Sequence, residues 1–201
     1  MDPWLLVRLL GSFLAGSVPF AVVAMWGTGI DITKVGSRNP GFNNVLRVAS
    51  KPRALVALVG DLFKGTAALA LLARPGDTMA VLWGLGLAAV VGHCFTPWLR
   101  LRGGKGVATT TGVFLYLQPW IALGCSPSYF LIRFLGRKRG WKQEGAIASL
   151  IMLGLMAAAI VALRGWEEGV FAGAAFVFVV LRHTSNLREA FFGKKAQATG
   201  T

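Results

Sequence analysis

Acidic side chains are scarce in this chain: eight Asp and Glu stand against twenty-one Lys and Arg, a formal net charge of +13 over 201 residues. Asp31, Glu144 and Glu189 are scattered rather than paired within one motif, which leaves two-carboxylate acid–base chemistry without its residues. Cysteine is nearly absent too. Cys94 and Cys125 lie far apart in apolar surroundings without CxxC or metal-ligand spacing, and both read as small membrane-core residues. Neither a GxSxG elbow nor an HExxH helix occurs. Charged residues of both signs reach only 14% against 55% hydrophobic, and mean hydropathy is +0.61. That is too little polar surface for a soluble globule of this length.

What the chain has instead is apolar length. A membrane helix needs about 20 mostly apolar residues, and apolar runs extend from about Trp4 to Trp26, Ala54 to Ala73, Met79 to Leu99, Gly145 to Leu163 and Gly169 to Leu181. The tract from Gly106 to Leu135 is too long for one helix and is interrupted at Gln118-Pro119 and at Pro127. We expect a short helix from Gly106, a turn near Gln118-Pro119 and a second helix returning. The fold class is then an all-α polytopic integral membrane protein with seven transmembrane helices. Residues 1–192 form a single membrane domain and 193–201 a flexible C-terminal tail. The first run opens with Met1-Asp2-Pro3, lacks the basic n-region of a signal peptide, and is expected to be retained. Within it, Gly16-Ser17 followed by Pro19 marks a tight helix crossing or a kink.

Charge sets the orientation. Sixteen of the 21 basic residues fall in the first, third and fifth connections and the C-terminal segment, whereas the opposite connections hold only Arg74 and Arg164. The positive-inside rule then places the N-terminus outside and the C-terminus in the cytoplasm. The basic residues sit in short loops between apolar runs, so the expected anions are lipid headgroups and phosphorylated small molecules, not nucleic acid.

The polar motifs gather on that cytoplasmic face. In Arg102-Gly103-Gly104-Lys105-Gly106-Val107-Ala108-Thr109 the glycines free the backbone, so successive N–H groups can turn inward beside the Lys105 ammonium and cradle a phosphate. A plain basic connector is the alternative. The helix expected to follow would aim its N-terminal dipole at a bound anion. The connection from Gly27 to Arg53 is longer than structureless loops usually are and is expected to fold as a re-entrant or interfacial element. It offers neutral hydrogen bonds from Ser37, Asn39, Asn43 and Asn44, and charge from Lys34, Arg38 and Arg47. Asp61 and Lys64, at i, i+3 in the second span, either neutralise each other or leave Lys64 lining a cavity. His93 is a structural hydrogen bonder or a secondary site residue. His183 and Asn186 share a face if helix continues through them. Together these groups suit positioning phosphorylated substrates and stabilising developing charge, not covalent catalysis.

Ser37-Arg-Asn39-Pro-Gly41-Phe-Asn-Asn44-Val-Leu-Arg47, Asp61-Leu-Phe-Lys64-Gly65, Gly92-His93 with Pro97, Gly103-Gly104-Lys105-Gly106-Val-Ala-Thr109 and His183-Thr-Ser-Asn186 follow in the order and spacing of a known family. Over nearly its whole length the chain resembles the bacterial acyl-phosphate:glycerol-3-phosphate acyltransferases of the PlsY type. The resemblance implies an enzyme of the bacterial inner membrane, its site facing the cytoplasm, that moves a fatty acyl group from acyl phosphate to the 1-hydroxyl of glycerol 3-phosphate. Lysophosphatidic acid and phosphate are the implied products, in the first step of phospholipid synthesis. Such an enzyme uses the donor's own phosphate as base, forms no acyl-enzyme, needs no cofactor or metal, and is expected here as a monomer.

Carried over residue by residue, Ser37, Arg47 and Lys105 would hold phosphate groups, and His183 and Asn186 would orient glycerol 3-phosphate. Arg38, Asn39, Asn44, Gly103, Gly104, Gly106, Thr109 and Gln143 complete the phosphate-binding set, with His93, Lys64 and Asp61 as secondary candidates. The chain has Arg38 where the family usually has Gly, Phe42-Asn43 for Ala-Thr and Thr33 for Arg. Trp141-Lys142-Gln143-Glu144 replaces an aromatic-x-Ser-Leu element, so the Gln143 amide stands in for a serine that contacts phosphate. Glu144 would oppose an anion if it faced the site. These departures support a second reading, a diverged non-catalytic paralogue that binds phosphorylated metabolites or anionic lipid. An anion transporter is disfavoured, because the motifs gather on one face instead of flanking a midplane site.

Overall fold

Prolines punctuate the chain, and the helices stop at them. In the computed structural model, which describes residues 3–193, α1 (Leu5–Ser17) ends at Val18 and resumes after Pro19 as the short α2 (Phe20–Ala24). Pro19 has no N–H to give and holds Val18 outside the helical region, at φ −57° and ψ 119°. The break orphans carbonyls inside an apolar span, and side chains from distant segments take them. Thr96 Oγ1 donates to Ser17 O at 2.6 Å and Lys64 Nζ donates to Val18 O at 2.7 Å. Gly16 meanwhile packs its Cα on the Ala89 backbone. Crossing and kink therefore both occur.

After α3 (Phe42–Val48) come α4 (Lys51–Leu72) and α5 (Met79–Cys94), then a 3-10 turn at Pro97–Leu99. The remainder is α6 (Val107–Leu117), α7 (Pro119–Cys125), α8 (Pro127–Lys138), α9 (Glu144–Arg164), α10 (Trp166–Arg182) and α11 (Thr184–Phe192). Among the described residues there is no strand. The 106–135 tract turns at Gln118-Pro119 as expected, but the returning helix breaks again, because Pro127 opens a new helix, α8, after α7.

Four helical segments are long and apolar enough to cross a membrane: Leu5–Ala24, Lys51–Leu72, Met79–Leu99 and Glu144–Arg164. A fifth exists if α10 and α11, bent by 62°, form one passage. The chain is thus an all-helical membrane protein, and the seven-span expectation is met only in part. Its remaining passages would have to be made by α6, 11 residues long, and by α7 and α8 in tandem. The tail expected from residue 193 lies, but for Gly193, outside the described residues.

Small residues let the helices touch backbone to backbone. A Cβ at Gly92 would overlap Phe13 O where α5 meets α1, and one at Gly65 or Gly112 would overlap a carbonyl oxygen where α4 meets α6. Between α5, α6, α9 and α10 lies the larger core, around Trp83, which meets Phe114 edge-on at 5.4 Å and stacks on Phe171 at 6.4 Å. A smaller core of Ala21, Met25, Ile32, Val45, Ala54 and Ala57 holds the long first connection against α2 and α4, so that connection is folded, as its composition predicts. This packing brings the C-terminal ends of α5 and α10 and the N-terminal ends of α6 and α9 to the same end of the bundle as the first connection.

Candidate active site

At that end lies a cleft of about 340 Å³. The first connection contributes Ser37, Arg38, Asn39 and Pro40; the glycine loop contributes Leu101, Arg102, Gly103 and Lys105; the corner between α10 and α11 contributes Arg182 and Ser185. Four of the ten lining residues are cations and none is an acid, so the cleft is built for anions. Among the described residues no group of three or more His, Cys, Asp or Glu is gathered as a metal site.

Two amides of the glycine loop have partners within the fold. Gly103 N–H donates to Cys94 O and Gly104 N–H to His93 O, both at 3.1 Å. These carbonyls end α5 and have no helical partner, so the amides of Gly103 and Gly104 cap that helix instead of pointing at an anion. The loop's glycines serve close approach: a methyl at Gly104 would overlap the His93 imidazole, and one at Gly103 would overlap His93 O. Gly106, at φ +90°, caps α6 while packed on Val90, Cys94 and Val179. What the loop turns to the cleft is the Lys105 ammonium. Burial first, then the nearby Arg182 charge, push that ammonium below the usual lysine value.

Lys105 Nζ donates to Asn186 Oδ1, and Asn186 Nδ2 donates to Gln143 Oε1 at 2.6 Å. Three elements distant in sequence meet through this chain. Gln143 stands at the entry to α9 in left-handed backbone, φ +59°. It is two hydrogen bonds removed from Lys105 and does not line the cleft. Glu144 faces away from the cleft and pairs with Arg137 at 3.4 Å and Arg133 at 3.7 Å.

Other candidates are placed elsewhere. Asn44 is buried and binds the first connection to itself: Nδ2 donates to Ile32 O and Val35 O, and Oδ1 accepts from Ser37 N–H at 2.8 Å. Its side chain shapes the loop that carries Ser37 and is not turned to the cleft. Arg47 is exposed on α3, and Thr109 is buried in α6; neither lines the cleft. Helix does not continue through His183, which sits at the 62° bend. Its Nδ1–H donates to Val179 O at 2.8 Å, so the ring is a buried helix-end bonder whose Nε2 is left as the acceptor when neutral.

Beneath the glycine loop, Lys64 Nζ is 2.8 Å and His93 Nδ1 3.5 Å from Asp61 Oδ1. Asp61 and Lys64 thus neutralise each other, and Lys64 does not line the cleft. Asp61 and His93 instead border a separate cavity of about 10 Å³ that shares Pro40 and Gly103 with the cleft lining.

Arg182 is the residue that motif reading passes over. Its Nη2 donates to Gly104 O at 3.1 Å and reaches Cys94 O at 3.4 Å, while the guanidinium lies over the Phe95 ring at 4.9 Å. It ties the end of α10 to the glycine loop. The available signal was its position, a cation ending an apolar span directly before His183.

Residues 6–193 match the family model described as glycerol-3-phosphate acyltransferase. A protein of that name from Laribacter hongkongensis is 35% identical over 97% of this chain and 96% of its own length, and one from Nitrosomonas europaea is 34% identical over 95% and 96%. Crystal structures of PlsY, an integral membrane glycerol 3-phosphate acyltransferase, in its glycerol 3-phosphate and lysophosphatidic acid forms superpose with TM-scores of 0.80 and 0.79. Each is 28% identical and covers 94% of this chain and 92% of that one. With family match, near-full-length relatives and fold in accord, the chain belongs to the glycerol-3-phosphate acyltransferase family.

Proposed function

We propose that the chain is a membrane acyltransferase that moves a fatty acyl group from acyl phosphate to the 1-hydroxyl of glycerol 3-phosphate, releasing lysophosphatidic acid and phosphate. The observation that carries this reading is a cleft lined by Arg38, Arg102, Lys105 and Arg182 with no lining carboxylate. Both substrates bring a phosphate, so both suit four convergent cations.

The chemistry needs no nucleophile from the protein. The glycerol hydroxyl oxygen forms a bond to the acyl carbon, the bond from that carbon to the phosphate oxygen breaks, and the hydroxyl proton passes to a phosphate oxygen of the donor. Cations stabilise charge as it gathers on the departing phosphate. Lys105, held by Asn186, is placed for that role, and Ser37, Asn39 and Arg38 offer further donors from the opposite wall. In this reading His183 orients glycerol 3-phosphate and Arg47 holds a phosphate, both from outside the lining. The positive-inside distribution favours a cytoplasmic site in a bacterial inner membrane, seven passages with the N-terminus outside, and a monomer suffices for the cleft as described.

The test is phosphate release from palmitoyl phosphate and glycerol 3-phosphate by the purified protein, with the lipid product identified. Product formation dependent on both substrates is the expected result. Binding of glycerol 3-phosphate without turnover would assign the chain to the non-catalytic reading instead.

A further inference from the structure

Four non-glycine residues have positive φ among the described residues: Arg38 at 59°, Arg100 at 52°, Leu101 at 63° and Gln143 at 59°. Two of the four line the cleft and the other two adjoin its residues. Arg38 and Leu101 line it, Arg100 adjoins Leu101, and Gln143 is bonded to the asparagine that holds Lys105. Left-handed backbone is disfavoured for side chains other than glycine, and such strain persists where the surroundings over-determine it, commonly at functional sites.

Leu101 is the least expected of the four, since a branched apolar side chain gains nothing locally from that conformation. The turn itself has a structural cause. Leu101 N–H donates to Thr96 O at 2.9 Å and Arg100 N–H to Pro97 O at 3.1 Å, the two bonds of a Schellman cap closing the 3-10 turn, with arginine where glycine is usual. The cap explains Arg100. It does not explain an exposed leucine, 58% accessible, in a lining whose other side chains, Pro40 apart, are polar or cationic. Next to it Trp98 is also exposed, its indole N–H fixed to Ser17 Oγ at 3.0 Å at the kink of the first span. One tight turn therefore carries an apolar side chain at the cleft and, three residues earlier, another at the side of a membrane-crossing segment.

We infer that Leu101 is a specificity-determining residue for the acyl donor, its left-handed turn holding an isobutyl group at the cleft mouth, where the first carbons of the acyl chain pass from the phosphate site towards the bilayer. This rests on the acyl-phosphate reading of the cleft. It adds an apolar subsite, formed with Trp98, that no cation of the lining supplies. The leucine is kept in strained backbone because the subsite needs apolar surface at that point.

The experiment compares wild type, Leu101→Gly and Leu101→Asn in bilayer nanodiscs. Glycine and asparagine both tolerate the left-handed region, so both variants should melt no lower than wild type. Their KM for palmitoyl phosphate should rise about five- to tenfold, as loss of one buried isobutyl contact implies, while KM for glycerol 3-phosphate stays within twofold. Calorimetric binding of decyl phosphate and methyl phosphate, neither of which can transfer an acyl group, supplies the arm that needs no turnover. Wild type should prefer the decyl compound, and the variants should lose most of that preference. An unchanged palmitoyl phosphate KM and an unchanged decyl preference in a folded variant would overturn the assignment while leaving the activity standing. A Leu101-dependent decyl preference without turnover on any acyl phosphate would uphold the subsite and overturn the donor reading.

Discussion

The side-chain amide of Asn186 donates to Gln143 Oε1 at 2.6 Å, and this bond together with the one from Lys105 fixes which way both amides face. An ammonium can only donate, so Asn186 must turn its oxygen to Lys105 and its nitrogen to Gln143. Gln143 must then offer its oxygen, and the entry to α9 becomes coupled to the orientation of the cleft cation. Asn186→Leu, which keeps volume but removes both bonds, deprives Lys105 of a charge-assisted bond of about 1.5–3 kcal/mol. The expected result is a fall in kcat/KM of about ten- to a hundredfold, read by phosphate release.

Lys105 itself should matter more. Removing one preorganised donor to developing charge typically lowers the rate by about a hundred- to a thousandfold, and Lys105→Ala is expected to fall in that range while remaining folded. Because burial and Arg182 lower its pKa, the ammonium of the free protein loses its proton below the usual lysine value. The alkaline limb of kcat/KM should therefore lie below that value, and Lys105→Arg should move it upward. The stability linkage has the opposite sense: the charged form is disfavoured in the folded state, so raising the pH through the lowered pKa removes a cost.

Gly104 is sterically obligatory. A methyl there enters the buried His93 ring, so Gly104→Ala is expected to lose about 1–3 kcal/mol of stability by overpacking. Thermal unfolding should show the loss, and Gly104→Ala combined with His93→Ala should recover part of the apparent melting temperature.

The Asp61–Lys64 pair is buried within α4. Removing either partner alone leaves an uncompensated charge and should cost about 3–5 kcal/mol, whereas Asp61→Leu with Lys64→Met should cost less, about 1–3 kcal/mol, because Val18 O still loses its donor. Unfolding of the singles and the double reads this directly. Turnover by the double variant within a few-fold of wild type is the expected result for a lysine that does not line the cleft.

Apolar runs, broken by Pro19, Pro119 and Pro127, mark helices and kinks, because hydropathy and the missing proline N–H act within a few residues. The same locality made the Asp61–Lys64 pairing legible, since i, i+3 spacing suffices to bring the groups together. The cluster of Ser37, Arg38, Asn39, Gly103 and Lys105 was also visible, through motif order and through charge that segregates to one face.

Where a hydrogen-bonding group points was not legible in that way. Asn44 and the amides of Gly103 and Gly104 look like phosphate ligands in isolation, but each answers an acceptor or donor that another part of the fold brings against it. Arg182 and Leu101 entered the cleft for the converse reason: the packing of α5, α6 and α10 sets their ends side by side. The sequence by itself determined an all-helical membrane protein with a cationic, phosphate-suited end, because those properties sum along the chain. Only the tertiary structure decided which donors remain free to meet a substrate, since buried groups such as Ser12, Asn44 and Thr96 take partners that packing brings from distant segments.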